Sequence, residues 1–182
     1  MSITKVRHAT MTLILETPRL RLRKWQPGEE DLLATFLGDD QVMYAYEGAF
    51  NETKIAEWLQ WNLQSYEKYG YGLWAIEHKS DGAVIGECGI TMQTVKGQEF
   101  PEIGYHLISS AWHQGYMTEA AQAVKKYAFE TLQLPEVCST VRDTNLASMN
   151  VAIRNGMTIR DRYVKHYRGI EMPHYLFVAK RV

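Results

Sequence analysis

Short runs with a hydrophobic residue at every second position recur along the chain, and this pattern predicts strands. The predicted strands cover residues 20–25, 73–77, 83–91, 102–108, 137–141, 158–166 and 171–179. The segments 80–82 and 168–169 have the composition of hairpin turns, so each is expected to join two strands. Residues 94–101 are predicted to form a loop, and residues 1–12 a loose arm or an extra strand.

Other stretches space their apolar residues three or four positions apart, as amphipathic helices do. The first begins with acidic residues at 29–31, whose charge suits a helix N-terminus. Asn51 is a predicted N-cap of the second helix, and the third begins at Gly115. Asn145 is predicted to cap the fourth, which ends near Gly156, a residue type common at helix C-termini.

The order of these elements predicts an α+β fold with about seven strands and about four helices. Short turns join most of the strands, so the mixed sheet should be mostly antiparallel. The third helix separates the strands at 102–108 and 137–141, which predicts one parallel crossover. A chain of 182 residues fits a single domain, 1–182.

Composition narrows the classes of function. Hydrophobic residues make up 46% of the chain, which supplies a full core and excludes a disordered protein. A formal net charge of -1 argues against nucleic-acid binding through a broad basic face. Basic residues cluster at Arg19, Arg21, Arg23 and Lys24, where alternation with leucines predicts a solvated strand face.

The cysteine content and the hydropathy of the chain indicate the cellular compartment. Cys88 and Cys138 lie in apolar, strand-like runs, so we expect buried, reduced thiols. No stretch is apolar enough to cross a membrane, and the N-terminus lacks the apolar core of a signal peptide. These features predict a cytoplasmic protein with no membrane partner.

The junction of strand, turn and helix at Gly115 is a candidate anion site. The first N–H groups of a helix have no intrahelical partner, and the helix dipole adds positive potential there. A glycine at such a junction lets a phosphate approach the backbone. An ordinary strand–turn–helix with a glycine in the turn is the alternative interpretation.

Four local motifs resemble the GNAT acetyltransferase superfamily, and specifically its ribosomal-protein N-terminal (RimJ/RimL-like) branch. They are E16-TPRLRL-R23, E102-IG-Y105, W112-HQGYMTE-A120, and N145-LA-S148 running on to N155-G-M157. The resemblance covers nearly the whole chain, from Glu16 to Lys180. It implies a three-layer α/β/α fold and an N-acetyltransferase that uses acetyl-CoA and no metal.

The same resemblance assigns the cofactor-binding residues. These are Leu107, Ile108, Ser109, Gln114, Gly115, Tyr116, Met117, Thr118, Asn145 and Ser148. The chain departs from the family pattern at three places. Trp112 and Met117 stand where the loop usually has Gln or Arg and a small residue. Ala152 replaces a Tyr that in many members protonates the departing thiolate.

Amine acetylation needs a base, a polarised thioester carbonyl and a proton donor for the thiolate. Glu102 is the first choice for the base, and the alternative is a structural pairing with backbone or Arg. Glu87 and His106 are reserves. With Ala152 in the Tyr place, Ser148 is the predicted proton donor.

The acceptor pocket is predicted from the aromatic segment at 41–50 and the second helix. Tyr44, Tyr46, Glu47, Trp58, Trp61 and Glu87 offer ring faces and carboxylates suited to a cationic amine. The alternative is that most of these rings belong to the core. The acceptor is either a protein N-terminus or a small amine, and the protein a monomer or homodimer.

Two other classes of function compete with acetyl transfer. A CoA-binding sensor or interaction module without catalysis is consistent with Met117 and Ala152. A nucleotide-binding domain is disfavoured, because the chain has no G-x-G-x-x-G or Walker-type lysine motif.

Overall fold

The structure is a computed structural model that describes residues 11–182, so most of the predicted arm at 1–12 lies outside the described residues. The strands are β1 (Leu13–Glu16), β2 (Leu20–Lys24), β3 (Leu73–His78), β4 (Val84–Val95), β5 (Gln98–Leu107), β6 (Glu136–Arg142), β7 (Thr158–Tyr167) and β8 (Ile170–Lys180). The helices are α1 (Glu30–Leu37), α2 (Glu52–Tyr69), α3 (Tyr116–Glu130) and α4 (Leu146–Arg154). Single 3-10 turns cover Tyr44–Tyr46 and Ser109–Ala111.

The eight strands form one sheet in the order β1-β2-β3-β4-β5-β6-β8-β7. Neighbouring strands are antiparallel except β5 and β6, which run parallel and are connected through α3. The predicted α+β fold and its single parallel crossover are therefore confirmed. The sheet has one strand more than predicted, because Leu13–Glu16 pairs with β2. This strand is too short to show a clear alternation of hydrophobic and polar residues.

Helices cover both faces of the sheet, as the three-layer fold requires. Successive residues of a strand point to opposite faces. On one face His106 of β5 packs against Phe36 of α1 and Trp58 of α2. On the other face Trp74 of β3 meets the ring of Tyr127 in α3 edge to face. The main core fills the space between these layers.

The predicted loop at 94–101 is wrong, because β4 and β5 continue through it as a long hairpin. The turn consists of Lys96 and Gly97, both with positive φ. The extension is held by Val95 and Phe100, each 3% exposed, which form a second small core with residues of β6 and β8. Burial of these two side chains outweighs the polar sequence around them.

The predicted solvated face of β2 is wrong at one position. Arg21 is exposed, but Arg23 is only 3% exposed and its guanidinium pairs with Glu29 at 2.8 Å and Glu77 at 2.5 Å. Burial alone would lower the pKa of Arg23, but the hydrogen bonds from both carboxylates outweigh it and raise the pKa. Arg23 thus joins β2, β3 and the residue before α1 through a buried charge cluster.

The sheet is nearly interrupted between β5 and β6. Within residues 11–182, Glu102 and Cys138 are the one registered pair between these strands. The Ser139 hydroxyl adds a bond to the Ile103 carbonyl at 2.8 Å. β5 then continues to Leu107 and β6 to Arg142 without pairing, so a gap opens through the sheet. No helix in the described part of the chain is long and apolar enough to cross a membrane.

Candidate active site

A cleft of about 910 Å³ occupies the gap where β5 and β6 diverge. One end is bounded by the start of α3 and by α4, and the other by α2, the 3-10 turn at Tyr44–Tyr46 and the β7–β8 hairpin. Because the gap passes through the sheet, the two ends of the cleft connect. We call the first the α3 end and the second the acceptor end.

The α3 end presents free backbone donors. Gly115 is the N-cap, with φ 78° in the left-handed region, which glycine adopts without strain. The first bond of the helix runs from the Glu119 N–H to the Gly115 carbonyl at 3.1 Å. The N–H groups of Tyr116, Met117 and Thr118 therefore precede the helical ladder, as a phosphate site requires.

Arg19 adds a positive charge beside this helix start. Its Nη1 donates to the Gln114 carbonyl at 3.0 Å, its Nε pairs with Glu119 at 2.7 Å, and its guanidinium lies 4.3 Å from the centre of the Tyr116 ring. Burial would raise the pKa of Glu119, but hydrogen bonds from Thr17 and Arg19 outweigh it and lower the pKa. The sequence analysis placed Arg19 only on a solvated face, since nothing local links residue 19 to residue 119.

Seven of the ten predicted cofactor residues line the cleft; they are Leu107, Gly115, Tyr116, Met117, Thr118, Asn145 and Ser148. Ile108, Ser109 and Gln114 do not. Ile108 gives its N–H to the Ile85 carbonyl at 2.9 Å and packs on the core. The Gln114 side chain turns back to the Ser110 carbonyl at 3.2 Å.

Glu102 lies in the cleft at the point where the strands part. Its Oε2 accepts hydrogen bonds from the N–H of Thr140, at 3.2 Å, and from the Thr140 hydroxyl. Burial raises the pKa of Glu102, and the Thr140 bonds and the charge of Lys165 oppose that rise only in part. The predicted alternative, a backbone pairing, is present together with a carboxylate suited to accept a proton.

Asn145 and Ser148 stand at the start of α4. The Asn145 side chain accepts the Ser148 N–H at 3.1 Å, so the predicted cap is confirmed while the amide group still lines the cleft. The Ser148 carbonyl accepts the Tyr105 hydroxyl at 2.8 Å. Both bonds to Ser148 use its backbone, which leaves its side-chain hydroxyl available to a ligand. Ala152, one turn further along, is buried with 1% exposure.

At the acceptor end the structure places Tyr44, Tyr46, Trp58 and Trp61 in the lining. Tyr46 packs edge to face on Phe50 and Trp58, so these rings form both core and wall. Burial raises the pKa of Tyr46 above its ordinary value.

The prediction that Glu87 contacts the acceptor is wrong. Its side chain is 0% exposed and accepts the indole N–H groups of Trp25 and Trp58 at 3.0 Å each. His106 Nδ1 lies 3.0 Å from the same carboxylate. Three neighbours thus enclose Glu87 behind the cleft wall, and Trp58 and His106 are the members of the cluster that reach the lining.

Glu47 is also outside the cleft lining. Its carboxylate pairs with Arg142, and its backbone carbonyl accepts Arg168 at 3.1 Å. Glu47 therefore ties the Tyr44–Tyr46 turn to β6 and to the β7–β8 hairpin. The sequence pattern could not show this, because the partners lie about a hundred positions away and share no local motif.

The acceptor end contains cleft residues that the sequence analysis missed. They are Lys54, Gln93, Thr140, Arg142, Lys165, Tyr167 and His174. Most lie on strands whose residues alternate between cleft and opposite face, but the alternation does not say which strands flank the gap. Cys88 and Cys138 are buried as predicted, and burial raises the pKa of both thiols. No group of three metal-binding side chains occurs within residues 11–182.

Comparison with known proteins identifies this arrangement. A family model described as an acetyltransferase (GNAT) domain matches residues 19–158. The chain belongs to the GNAT acetyltransferase family. It is therefore an acyltransferase, and the donor of this family, acetyl-CoA, fits a cleft with free helical N–H groups at one end.

Several known proteins are similar to this chain over nearly their whole length. YkkB of Bacillus subtilis (strain 168) is 35% identical over 91% of this chain and 95% of its own. A GNAT acetyltransferase from Bacillus anthracis has a TM-score of 0.78 at 22% identity, covering 93% and 98% of the two chains. RimL, a ribosomal L7/L12 α-N-protein acetyltransferase solved with coenzyme A, has a TM-score of 0.74 at 17% identity, covering 92% and 97%. The two solved structures show the shared fold.

Proposed function

We propose that this GNAT acetyltransferase acetylates a primary amine by direct attack of the amine on the thioester, with both substrates bound together. The observation that carries the proposal is the cleft through the sheet. It joins a helix start with free N–H groups to a second opening, and Glu102 lies between them. Two substrates can enter from opposite ends and meet at that carboxylate, which is the proximity that direct transfer needs.

Acetyl-CoA supplies the activated acetyl group. The N–H groups of Tyr116, Met117 and Thr118 would hold its pyrophosphate, with Arg19 adding positive charge beside them. The Asn145 amide would bind the arm that carries the thioester. These contacts fix the donor and leave the acceptor end open.

Glu102 would accept a proton from the amine, directly or through water. A carboxylate with a raised pKa keeps more affinity for a proton than a solvated one, which suits a base. The Ser148 hydroxyl would donate a hydrogen bond to the sulfur as negative charge grows there. The buried thiols of Cys88 and Cys138 have no part in this route, because direct transfer forms no covalent enzyme intermediate.

The acceptor is either a protein N-terminus or a small amine. Similarity in fold to RimL, which acts on a ribosomal protein's α-amine, supports the first choice. The connected cleft with an aromatic wall is compatible with either.

An acceptor screen tests the proposal. The intact protein is incubated with acetyl-CoA and separate pools of small amines and peptides, and mass spectrometry detects products that gain one acetyl group. Acetylated amine together with free CoA would support direct transfer. Measurable CoA binding by calorimetry with no acetylated product from any pool would instead favour a sensor or interaction module.

A further inference from the structure

Cationic side chains outnumber carboxylates at the acceptor end of the cleft. Its lining includes Lys54, Arg142 and Lys165, against the carboxylates of Glu57 and Glu102. A pocket for a purely cationic amine is expected to contain more carboxylates than cationic side chains, and this one contains fewer. A purely cationic acceptor would meet like charges on entry, which costs binding energy in a partly desolvated site.

Two of these cations already serve the fold. Lys54 Nζ donates to the Tyr167 hydroxyl at 3.0 Å and lies 5.0 Å from the centre of the Phe50 ring, so it joins α2 to the β7–β8 hairpin. Arg142 pairs with Glu47. Arg142 still keeps one buried donor, Nε, for which the described part of the chain supplies no hydrogen-bond partner.

Lys165 differs from both. The lysine ion pairs among residues 11–182 involve Lys79, Lys96 and Lys126, and Lys165 is not among them. It lies in the cleft lining and is otherwise exposed. A lysine held by no carboxylate at the opening of an active-site cleft is free to meet a ligand.

The strand pairings place Lys165 on the same face of the sheet as the proposed base. Tyr163 is opposite His174, and His174 is opposite Arg142, so these residues and Lys165, two positions from Tyr163, share a face. Glu102 shares this face through its pairing with Cys138. Burial raises the pKa of Glu102 and lowers that of His174; the charge of Lys165 opposes the first shift and adds to the second. A carboxyl group and a lysine ammonium thus share one face of the sheet in the cleft.

We propose that the natural acceptor is an amine that also bears a carboxylate or similar anion, with its amine at Glu102 and its anion on Lys165 and the Arg142 side chain. The proposal rests on the proposed acetyl transfer and specifies its acceptor. A zwitterion matches the charges of this cleft wall, since each end meets a group of opposite sign. A free amino acid and the N-terminus of an acidic peptide both have this chemistry.

The transfer remains balanced with such an acceptor. The ammonium gives one proton to Glu102, and the nitrogen lone pair then forms a bond to the thioester carbonyl carbon. The carbon–sulfur bond breaks, and the second proton lost by the nitrogen goes to the sulfur. The anion of the acceptor takes no part in these steps and only positions the amine.

Matched amines test the proposal. L-phenylalanine is compared with L-phenylalaninamide, and a Ser-Glu-Ala-Ala peptide amide with its Ser-Gln-Ala-Ala counterpart, each with acetyl-CoA and the intact protein. We expect kcat/KM to favour the anionic member of at least one pair by about tenfold or more, as charge-assisted contacts typically give. The pair that shows the preference distinguishes the amino-acid source from the peptide source.

Substitutions assign the preference to the lysine. Lys165→Met should reduce the preference to about twofold or less, mainly through a higher KM for the anionic member. Lys165→Glu should reverse the preference, so that the member of each pair without the anion becomes the better acceptor. Lys126→Met removes the same charge from the exposed surface of α3 and should keep the wild-type preference.

The outcomes separate the two proposals. Equal kcat/KM for both members of each pair would overturn the anionic acceptor. A preference that persists in Lys165→Met would overturn the assignment of the anion to Lys165. Either result leaves acetyl transfer standing. If no member of either pair and no amine in the acceptor screen is acetylated, the proposed function itself is wrong and the anionic acceptor is wrong with it.

Discussion

At the scale of single residues, Glu102 combines two opposing influences. Burial raises its pKa, and two hydrogen bonds from Thr140 hold it in the cleft. The base must be ionised, so the rate should fall as the pH drops through a pKa above the ordinary carboxylate value. Glu102→Gln should abolish this acid limb and slow turnover by roughly a hundredfold. Steady-state rates across pH check both expectations.

The control for this change is Glu99→Gln, an exposed carboxylate on the same strand. It should leave the pH–rate profile as it is in the wild type. If Glu102→Gln retains an unaltered profile, Glu102 has a structural role only, through Thr140.

Ser148 is the second residue with a predicted chemical role. Ser148→Ala keeps the backbone bonds to Asn145 and Tyr105, so α4 should stay in place. A hydrogen bond that strengthens as the sulfur becomes negative contributes about 1–3 kcal/mol, so turnover should fall by roughly tenfold to a hundredfold. Acetyl-CoA affinity should change little, because a neutral thioester is a poor acceptor.

Turnover and acetyl-CoA affinity must therefore be measured separately. Equal losses in both would mean that Ser148 positions the donor. Tyr105→Phe serves as the comparison, because the Tyr105 hydroxyl already donates to the Ser148 carbonyl and is not expected to protonate the sulfur. A larger loss of turnover in Tyr105→Phe than in Ser148→Ala would assign the donor to Tyr105.

At the scale of the element, the start of α3 is the proposed binding site for the pyrophosphate of acetyl-CoA. Gly115→Val forces a β-branched residue to φ near 78° and places side-chain atoms where a phosphate would approach the backbone. The backbone strain should cost about 1–2 kcal/mol of stability. CoA affinity, measured by calorimetry, should fall by at least tenfold.

Gly97→Val is the matched control. Gly97 has φ 79° in the β4–β5 turn and has no atom within 4 Å of an added Cβ. This variant should lose similar stability and bind CoA with wild-type affinity. Unchanged CoA affinity in Gly115→Val would place the phosphate site elsewhere.

The buried charge cluster of β2 supports the stability of the whole molecule. Arg23→Ala removes the cation between Glu29 and Glu77 and leaves two carboxylates in a site that is largely closed to water. Removing one partner of a buried pair should cost about 3–5 kcal/mol in the free energy of unfolding. Arg21→Ala removes an exposed pair with Glu16 and should cost less than about 1 kcal/mol. Denaturant titrations measure both values, and equal losses would contradict a buried role for Arg23.

The spacing of hydrophobic residues and the composition of the turns were enough to predict most of the secondary structure and its topology. They gave the element order, the parallel crossover through α3, the Asn51 and Asn145 caps and the two short hairpins. They failed where tertiary burial overrides local pattern, as with the long β4–β5 hairpin. They also failed at Arg23, which pairs with a residue 54 positions away.

The residues of the candidate site likewise divide into those that the sequence predicted and those that it did not. Residues in the local motifs around Gly115 and Asn145 were predicted because one short segment positions them. Lys165 and His174 were missed because they reach the cleft only through the pairing of β6, β8 and β7. Glu87 was misplaced because period alone does not distinguish a carboxylate enclosed by indole N–H groups from one that faces a ligand.

The narrow junction between β5 and β6 also has a mechanical consequence. Tension across a sheet is carried by the bonds between neighbouring strands. Between β5 and β6 these are a single registered pair, the Ser139 hydroxyl bond and the Thr140 bonds to Glu102. A stretching force applied across the sheet would therefore rupture it first along this line. The half from β1 to β5 and the half from β6 to β8 each retain their own continuous ladders. The opening proposed to admit two substrates is thus also the line along which the sheet resists a stretching force least.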